Sequence, residues 1–343
     1  MIRIAAFFGL IGLALATAVI AWSGYDQVLA ALGQAGWGIV WTSLFHLVAM
    51  YFCVWGWQML LPGRRKHAEK RISRPGQATF FYFLWIRAAV NNLMPVARIG
   101  GEIIAVRLMM KHGVRKSSAI ACTVVETTLS VIGQFVFVLI GVSFFVLRVS
   151  DQDVTAQLLF GLVLSLFVIG ALVMVQRAGF FGLLTRLFTL MFRDKWKNFA
   201  GNTARLDRAV LTMYRRRGRA LFCGVMQFAS WIWGTVEIWV GLSFLGHAMP
   251  LLDCMMIEAL IQATGSAAFI VPGALGVQEA GFLLFGHLLG LTPEIATALA
   301  MIRRCRDLLL YVPGLVAWQI QEGKWLIAKP KSASSPRIHP SDL

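Results

Sequence analysis

Two stretches 177 residues apart interrupt very apolar sequence in the same way: Pro95-Val-Ala-Arg-Ile-Gly-Gly-Glu102 and Pro272-Gly-Ala-Leu-Gly-Val-Gln-Glu279. Each sets a proline, one or more glycines and, seven residues beyond the proline, a carboxylate. Proline lacks the backbone donor and clashes with the preceding turn, so a helix breaks at each. The same offset carries Gly113 onto Gly290, Ala119 onto Ala296, Ala121 onto Ala298 and Glu126 onto Arg303. Helices broken at matching points in two halves of an apolar chain point to a transport site where the halves meet.

A membrane is the solvent that explains the apolar background. Of 343 residues, 58% are hydrophobic and 14% charged, and mean hydropathy is +0.71; several bilayer-length runs produce such values, and a soluble core does not. Runs suited to full spans lie near residues 4–22, 37–61, 117–147, 155–175, 219–245 and 294–320. Residues 1–21 have some features of a signal peptide, but the long apolar run and weak basic flank read as an uncleaved first span. The net charge of +16 is unevenly spread: 26 of the 32 Lys and Arg residues are Arg3 and those in segments 62–77, 107–116, 176–219 and 321–343. Segments 23–36, 148–154 and 246–250 hold only Arg148. The positive-inside rule puts the basic segments and both termini in the cytoplasm of a multi-pass membrane protein. Basic residues here set topology and meet anionic lipid, and with no aromatic-interleaved basic module a nucleic-acid partner is not expected. The five cysteines lie mostly in apolar runs, without disulfide or metal spacing, and the histidines are scattered; no metal or cofactor is expected.

This topology starts and ends residues 78–106 on the cytoplasmic side and residues 251–290 on the outer side. The runs broken at Pro95 and Pro272 are then re-entrant hairpins entering from opposite faces. The expected fold is an all-α polytopic integral membrane protein, an inverted repeat of span, re-entrant hairpin and span, with about six full spans plus two broken hairpins. One transmembrane domain covers residues 1–323, with repeats at 37–147 and 219–320 and an amphipathic cytoplasmic linker at 176–218. Residues 324–343, rich in Lys, Ser and Pro, are expected as a disordered cytoplasmic tail. Hairpins that cross fully are the alternative; they raise the helix count and leave both termini in place.

Ionisable side chains at membrane depth cost about 2.5–3.5 kcal/mol each on insertion scales, so those present are candidate site residues. They are Arg87, Arg98, Arg303, Arg304 and Arg306 against Glu102, Glu126, Glu237, Glu258, Glu279 and Asp307, close enough to balance for internal pairing. Glu237, in a Trp-rich span, reads as a packing or interface residue. Glu126 and Arg303 each fall nine residues into their spans, about 14 Å deep in a core of about 30 Å. An ion pair between them, or a shared polar site, is expected. Asn91, Asn92, Arg98 and Glu102 cluster at the first break, where unpaired N–H groups and a guanidinium fork suit an anionic headgroup. Pro95, Gly100 and Gly101, and Pro272, Gly273 and Gly276, form the breaks themselves.

Asn91-Asn92-Leu-Met-Pro95-Val-Ala-Arg-Ile-Gly-Gly-Glu102, taken with the motif at Pro272, resembles the flippase-like transmembrane domain of bacterial lysylphosphatidylglycerol synthases. The Pro-Val-Ala-x-Ile-Gly-Gly-Glu form looks most like the hopanoid-biosynthesis-associated membrane proteins of the HpnL type. The resemblance covers residues 37 to 320 and implies movement of lipids between leaflets, or service to a neighbouring lipid-modifying enzyme. Asn92, Pro95, Gly101, Glu102, Pro272, Gly276 and Glu279 take the motif positions. Two departures stand out. The chain ends at Leu343 with no aminoacyl-transferase domain, so synthase activity is not expected. Arg98 replaces the glutamine usual in the hopanoid-associated pattern, which points towards an anionic lipid.

Three function classes follow. The first is a lipid flippase or transporter for a hopanoid or phospholipid, holding the headgroup at a midplane polar site and driven, if at all, by a gradient. Proton coupling would run through Glu102 or Glu126. The second is a non-transporting partner of a lipid-biosynthetic complex. The third is an intramembrane lipid-modifying enzyme, disfavoured because the chain lacks an Asp-rich diphosphate motif and a serine nucleophile elbow.

Overall fold

The computed structural model describes residues 36–61, 75–94, 100–148, 197–267 and 276–327, with 33, 156, 160, 163, 166 and 274 singly. Nine α-helices and no strand occur among them: α1 (Gly38–Leu60), α2 (Gln77–Leu93), α3 (Gly100–Lys111), α4 (Lys116–Arg148), α5 (Lys197–Arg215), α6 (Arg217–Phe244), α7 (Leu251–Ala267), α8 (Val277–Leu288) and α9 (Pro293–Ile327). The run expected at 4–22, all of the run at 155–175 but 156, 160, 163 and 166, and Pro95, Arg98, Pro272 and Gly273 lie outside the described residues. Helices α1, α4 and α6 are long and apolar enough to cross a membrane. Their outward side chains, Trp41, Leu44 and Val48 on α1 and Leu221, Val225 and Ile232 on α6 among them, are exposed, as a lipid-facing surface requires.

Each interrupted run resolves into two helices packed on one another, α2 with α3 and α7 with α8. The stops after α3 and α8 are alike in detail. Gly113 and Gly290 have φ of 85° and 91°, a left-handed conformation that glycine adopts without the usual side-chain penalty. In one, Val114 N–H bonds to Met109 O (3.0 Å) and Gly113 N–H to Met110 O (3.1 Å); in the other, Leu291 N–H bonds to Gly286 O (2.8 Å) and Gly290 N–H to His287 O (3.0 Å). Both satisfy the orphan carbonyls of the last turn in the same glycine-capped motif. The 177-residue offset thus survives as backbone geometry.

Helix α1 lies along α6, and α4 packs on α6 and α7. Small residues permit the approach: Gly56 lies against the Cys223 backbone, Gly133 against that of Phe228, and Gly141 against Ala259. In a bilayer, where burying apolar groups between helices gains little, such close van der Waals contact is a main source of helix association. One apolar cluster gathers Trp57, Phe80, Phe83, Leu108 and Met109. A second gathers Phe145, Met256, Leu260, Phe282 and Phe285. Helix α9 joins the halves, packing on α1, α2 and α8. It continues to Ile327, past the expected tail boundary, because Glu322 is held by Arg107 Nη2 (2.8 Å) and Lys111 Nζ (3.9 Å).

Candidate functional site: a charged cavity among the helices

Asn91 ties the first break together. Its Oδ1 accepts from Gly101 N–H (2.9 Å), and its Nδ2 donates weakly to Glu102 Oε1 (3.4 Å). A Cβ on Gly101 would stand 2.4 Å from Arg87 O, so glycine is required for α3 to start this close to α2. The N–H groups expected to hold a headgroup are thus partly used internally, by the Asn91 amide and with Glu102 already in the first turn of α3.

From α2, Arg87 reaches both neighbouring helices. Its Nε donates to Glu102 Oε1 (2.8 Å), Nη1 to Glu126 Oε2 (2.5 Å) and Nη2 to Thr127 Oγ1 (3.1 Å). The guanidinium lies 5.3 Å from the Trp57 ring centroid, a favourable cation–π approach. Glu126, only 2% exposed, accepts a further bond from Gln227 Nε2 (2.8 Å). In the second half Arg303 of α9 grips Glu258 of α7 with both forks (2.6 and 3.0 Å) and lies 5.8 Å from the Phe282 ring centroid. Gln262 Nε2 completes Glu258 (2.6 Å). Arg304 Nε donates to Glu279 Oε1 (2.5 Å) at the start of α8.

A third cluster bridges the halves. Arg306 binds Glu237 of α6 through Nη1 and its neighbour Asp307 through Nε (3.1 Å) and Nη2 (2.6 Å). His46 of α1 sits between Glu237 Oε1 (2.8 Å from Nδ1) and Tyr311 Oη (2.9 Å from Nε2). Charges this buried persist only where partners compensate the lost hydration.

All three clusters open onto one cavity of about 290 Å³. His46, Arg87, Asn91, Asn92 and Glu126 line it from the first half; Glu258, Gln278, Arg303, Arg306 and Asp307 line it from the second, with Gln227 and Glu237 from α6. Glu102 and Glu279 are not among its lining residues; each is bound to an arginine of its own half.

Of the two arrangements expected for Glu126 and Arg303, they line one shared cavity and do not form an ion pair: each finds an opposite charge within its own half, Arg87 and Glu258. Glu102 is engaged by Arg87. Glu237, read as a packing or interface residue, lies between helices of the two halves, where it anchors Arg306 and His46. His46, Gln227, Gln262 and Tyr311 were invisible as site residues. The one signal in the chain was Glu237 itself, a lone carboxylate in an apolar span that needed a cation from elsewhere.

These features define a class: a helical membrane protein with a charged internal cavity. The chain matches the family model of the lysylphosphatidylglycerol synthase TM region over residues 9–314, and it belongs to that family. No curated protein and no solved structure matches it.

Proposed function

We propose that the protein moves a lipid between the leaflets of the bacterial inner membrane, with the headgroup passing through the central cavity and the apolar part left towards lipid. The observation that carries this is the cavity itself, lined by charged and polar side chains from both halves. Family membership supports a lipid-related role. We further read the halves as an inverted repeat, each of span, re-entrant hairpin and span, with both chain ends cytoplasmic. Helix contacts support this: exchanging α1, α2, α3 and α4 for α6, α7, α8 and α9 maps the main contacts onto one another, α2 on α9 matching α7 on α4, and α1 on α9 matching α6 on α4. Alternating exposure of a cavity between two such repeats is a recurrent transport design.

The cargo is a phospholipid or a hopanoid, and the chain acts as carrier, not catalyst. The arginines lining the cavity are already matched to carboxylates, so an anionic headgroup would need Arg98 or the release of a pair. Hydroxyl groups would meet Asn92, Ser230 and Gln278. The test is reconstitution into vesicles carrying a fluorescent phospholipid or hopanoid, scored by how fast a membrane-impermeant quencher reaches inner-leaflet probe. Faster loss than in protein-free vesicles is expected, abolished in Arg303→Ala at matched folding. Wild-type vesicles no faster than empty ones, for either probe, would favour a partner role in a lipid-biosynthetic complex.

A further inference from the structure

We propose that His46, held between Glu237 and Tyr311, is a proton-binding site on the cavity wall; the coupling this implies rests on the lipid-transport reading, and the site itself does not. In the second half the carboxylates Glu237, Glu258, Glu279 and Asp307 outnumber the guanidiniums of Arg303, Arg304 and Arg306 by one. Glu237 and Asp307 both bond to Arg306, with Arg303 and Arg304 the next cations near Asp307, and the remaining Glu237 oxygen faces His46 Nδ1 at 2.8 Å. An imidazolium restores neutrality, which matters because uncompensated buried charge is costly.

The geometry suits both protonation states. In each, Nδ1–H donates to the Glu237 carboxylate. With neutral imidazole, Nε2 accepts from the Tyr311 hydroxyl; with imidazolium, Nε2–H donates to the same oxygen after the hydroxyl hydrogen swings away. The Nε2 to Oη distance of 2.9 Å serves either direction. A proton can therefore arrive and leave without any heavy atom moving. The His46 side chain is 18% exposed and lines the cavity, so water filling the cavity reaches it.

The neighbouring ionisable groups are otherwise committed. On α1 itself, Cys53 bonds to Ser230 and Gln227. From α2, Arg87 is engaged by Glu102 and by Glu126 of α4. From α7, Glu258 is closed in bidentate fashion by Arg303 of α9. Arg87 also serves two carboxylates, but there the surplus is met by neutral donors, Gln227 and Thr127. Among the described residues, an imidazole faces a surplus carboxylate in the bridging cluster alone. That cluster also joins α1 of one half to α6 and α9 of the other, so its proton occupancy bears on the join between them.

The test is nitrogen NMR of ring-labelled histidine in the full-length protein in lipid nanodiscs. There are six histidines, and the His46 signals are identified by their loss in His46→Gln. The expected result is that the ring signals change between the neutral and imidazolium patterns as pH is stepped over the range the protein tolerates. Glu237→Gln is expected to move the Nδ1 signal, because the carboxylate that accepts from it is replaced. Should that variant fail to fold, Tyr311→Phe is expected to alter the neutral-form nitrogen shifts instead. A ring fixed in one state over the whole range overturns the proton site. In vesicles, an imposed pH difference of about 1 unit, worth up to about tenfold in an equilibrium, is expected to change wild-type lipid movement and leave His46→Gln unaffected. A titrating His46 with gradient-insensitive wild-type movement overturns the coupling. No lipid movement in the wild type overturns the transport reading alone, and the NMR result then decides the site.

Discussion

In the first half of the molecule the cation stands on α2, the arm entering the break, and its carboxylates stand on α3 and α4. In the second half Glu258 is the cavity-lining charge on the entering arm, α7, and the arginines that bind it and Glu279 both come from α9. Even residues at matched positions exchange character. Thr127 and Arg304, 177 residues apart, both bond to the carboxylate that follows their own break, one as a hydroxyl (3.4 Å) and the other as a guanidinium (2.5 Å). What the two halves share is the join between hairpin and long helix, not the sign of the charge at either end. A polar join at membrane depth needs only a complementary pair, so either order is stable.

The inequality between one arginine with two acids and two arginines with one acid each can be broken by mutation. Arg87→Ala strands Glu102 and Glu126 together, and loss of about 5 kcal/mol or more is expected from removing one partner of such a buried cluster. Thermal unfolding in detergent, read by fluorescence-detected size exclusion, should show it as the most damaging of these variants. Arg303→Ala strands Glu258 alone, which keeps Gln262, and should cost about 3 kcal/mol; equal losses at Arg87 and Arg303 would remove the asymmetry. Gly101→Ala forces a methyl into the Arg87 backbone oxygen and should cost about 1–3 kcal/mol, with Asn91 capping lost. Gly113→Ala and Gly290→Ala should cost about 1–2 kcal/mol each, the left-handed penalty, and by the same amount in both halves; unequal costs would mean the matched turns are held differently. The smallest effect expected is a coupling. In a double-mutant cycle of Glu126→Gln with Arg303→Gln, the losses should add to within about 0.5 kcal/mol, since neither residue touches the other.

Broken helices and the starts of the long ones were legible because proline, glycine and hydropathy act locally: helices α1, α4, α6 and α9 begin within two residues of the apolar runs read for them. Pairing was not legible. Arg87 meets Glu126 because α2 and α3 fold back beside α4, a matter of helix packing that depth alone does not decide. By depth, Glu126 and Arg303 looked like partners, yet both were satisfied sooner within their own halves. His46 gave no sign at all. It lies alone in an apolar helix, and its two partners are 191 and 265 residues further along the chain.

That the pairs close within halves bears on how the chain enters the bilayer during synthesis. Arg87, Glu102 and Glu126 emerge from the ribosome within one stretch and can neutralise one another before any of the second set has been made. Glu237, Glu258, Glu279 and the arginines of α9 follow as a second self-contained group. The insertion machinery then faces two modest instalments of charge, each cancelling most of its own penalty of about 2.5–3.5 kcal/mol per residue. Among the described ionisable groups that line the cavity, His46 waits for partners made much later, and an imidazole, able to wait uncharged, suits that delay.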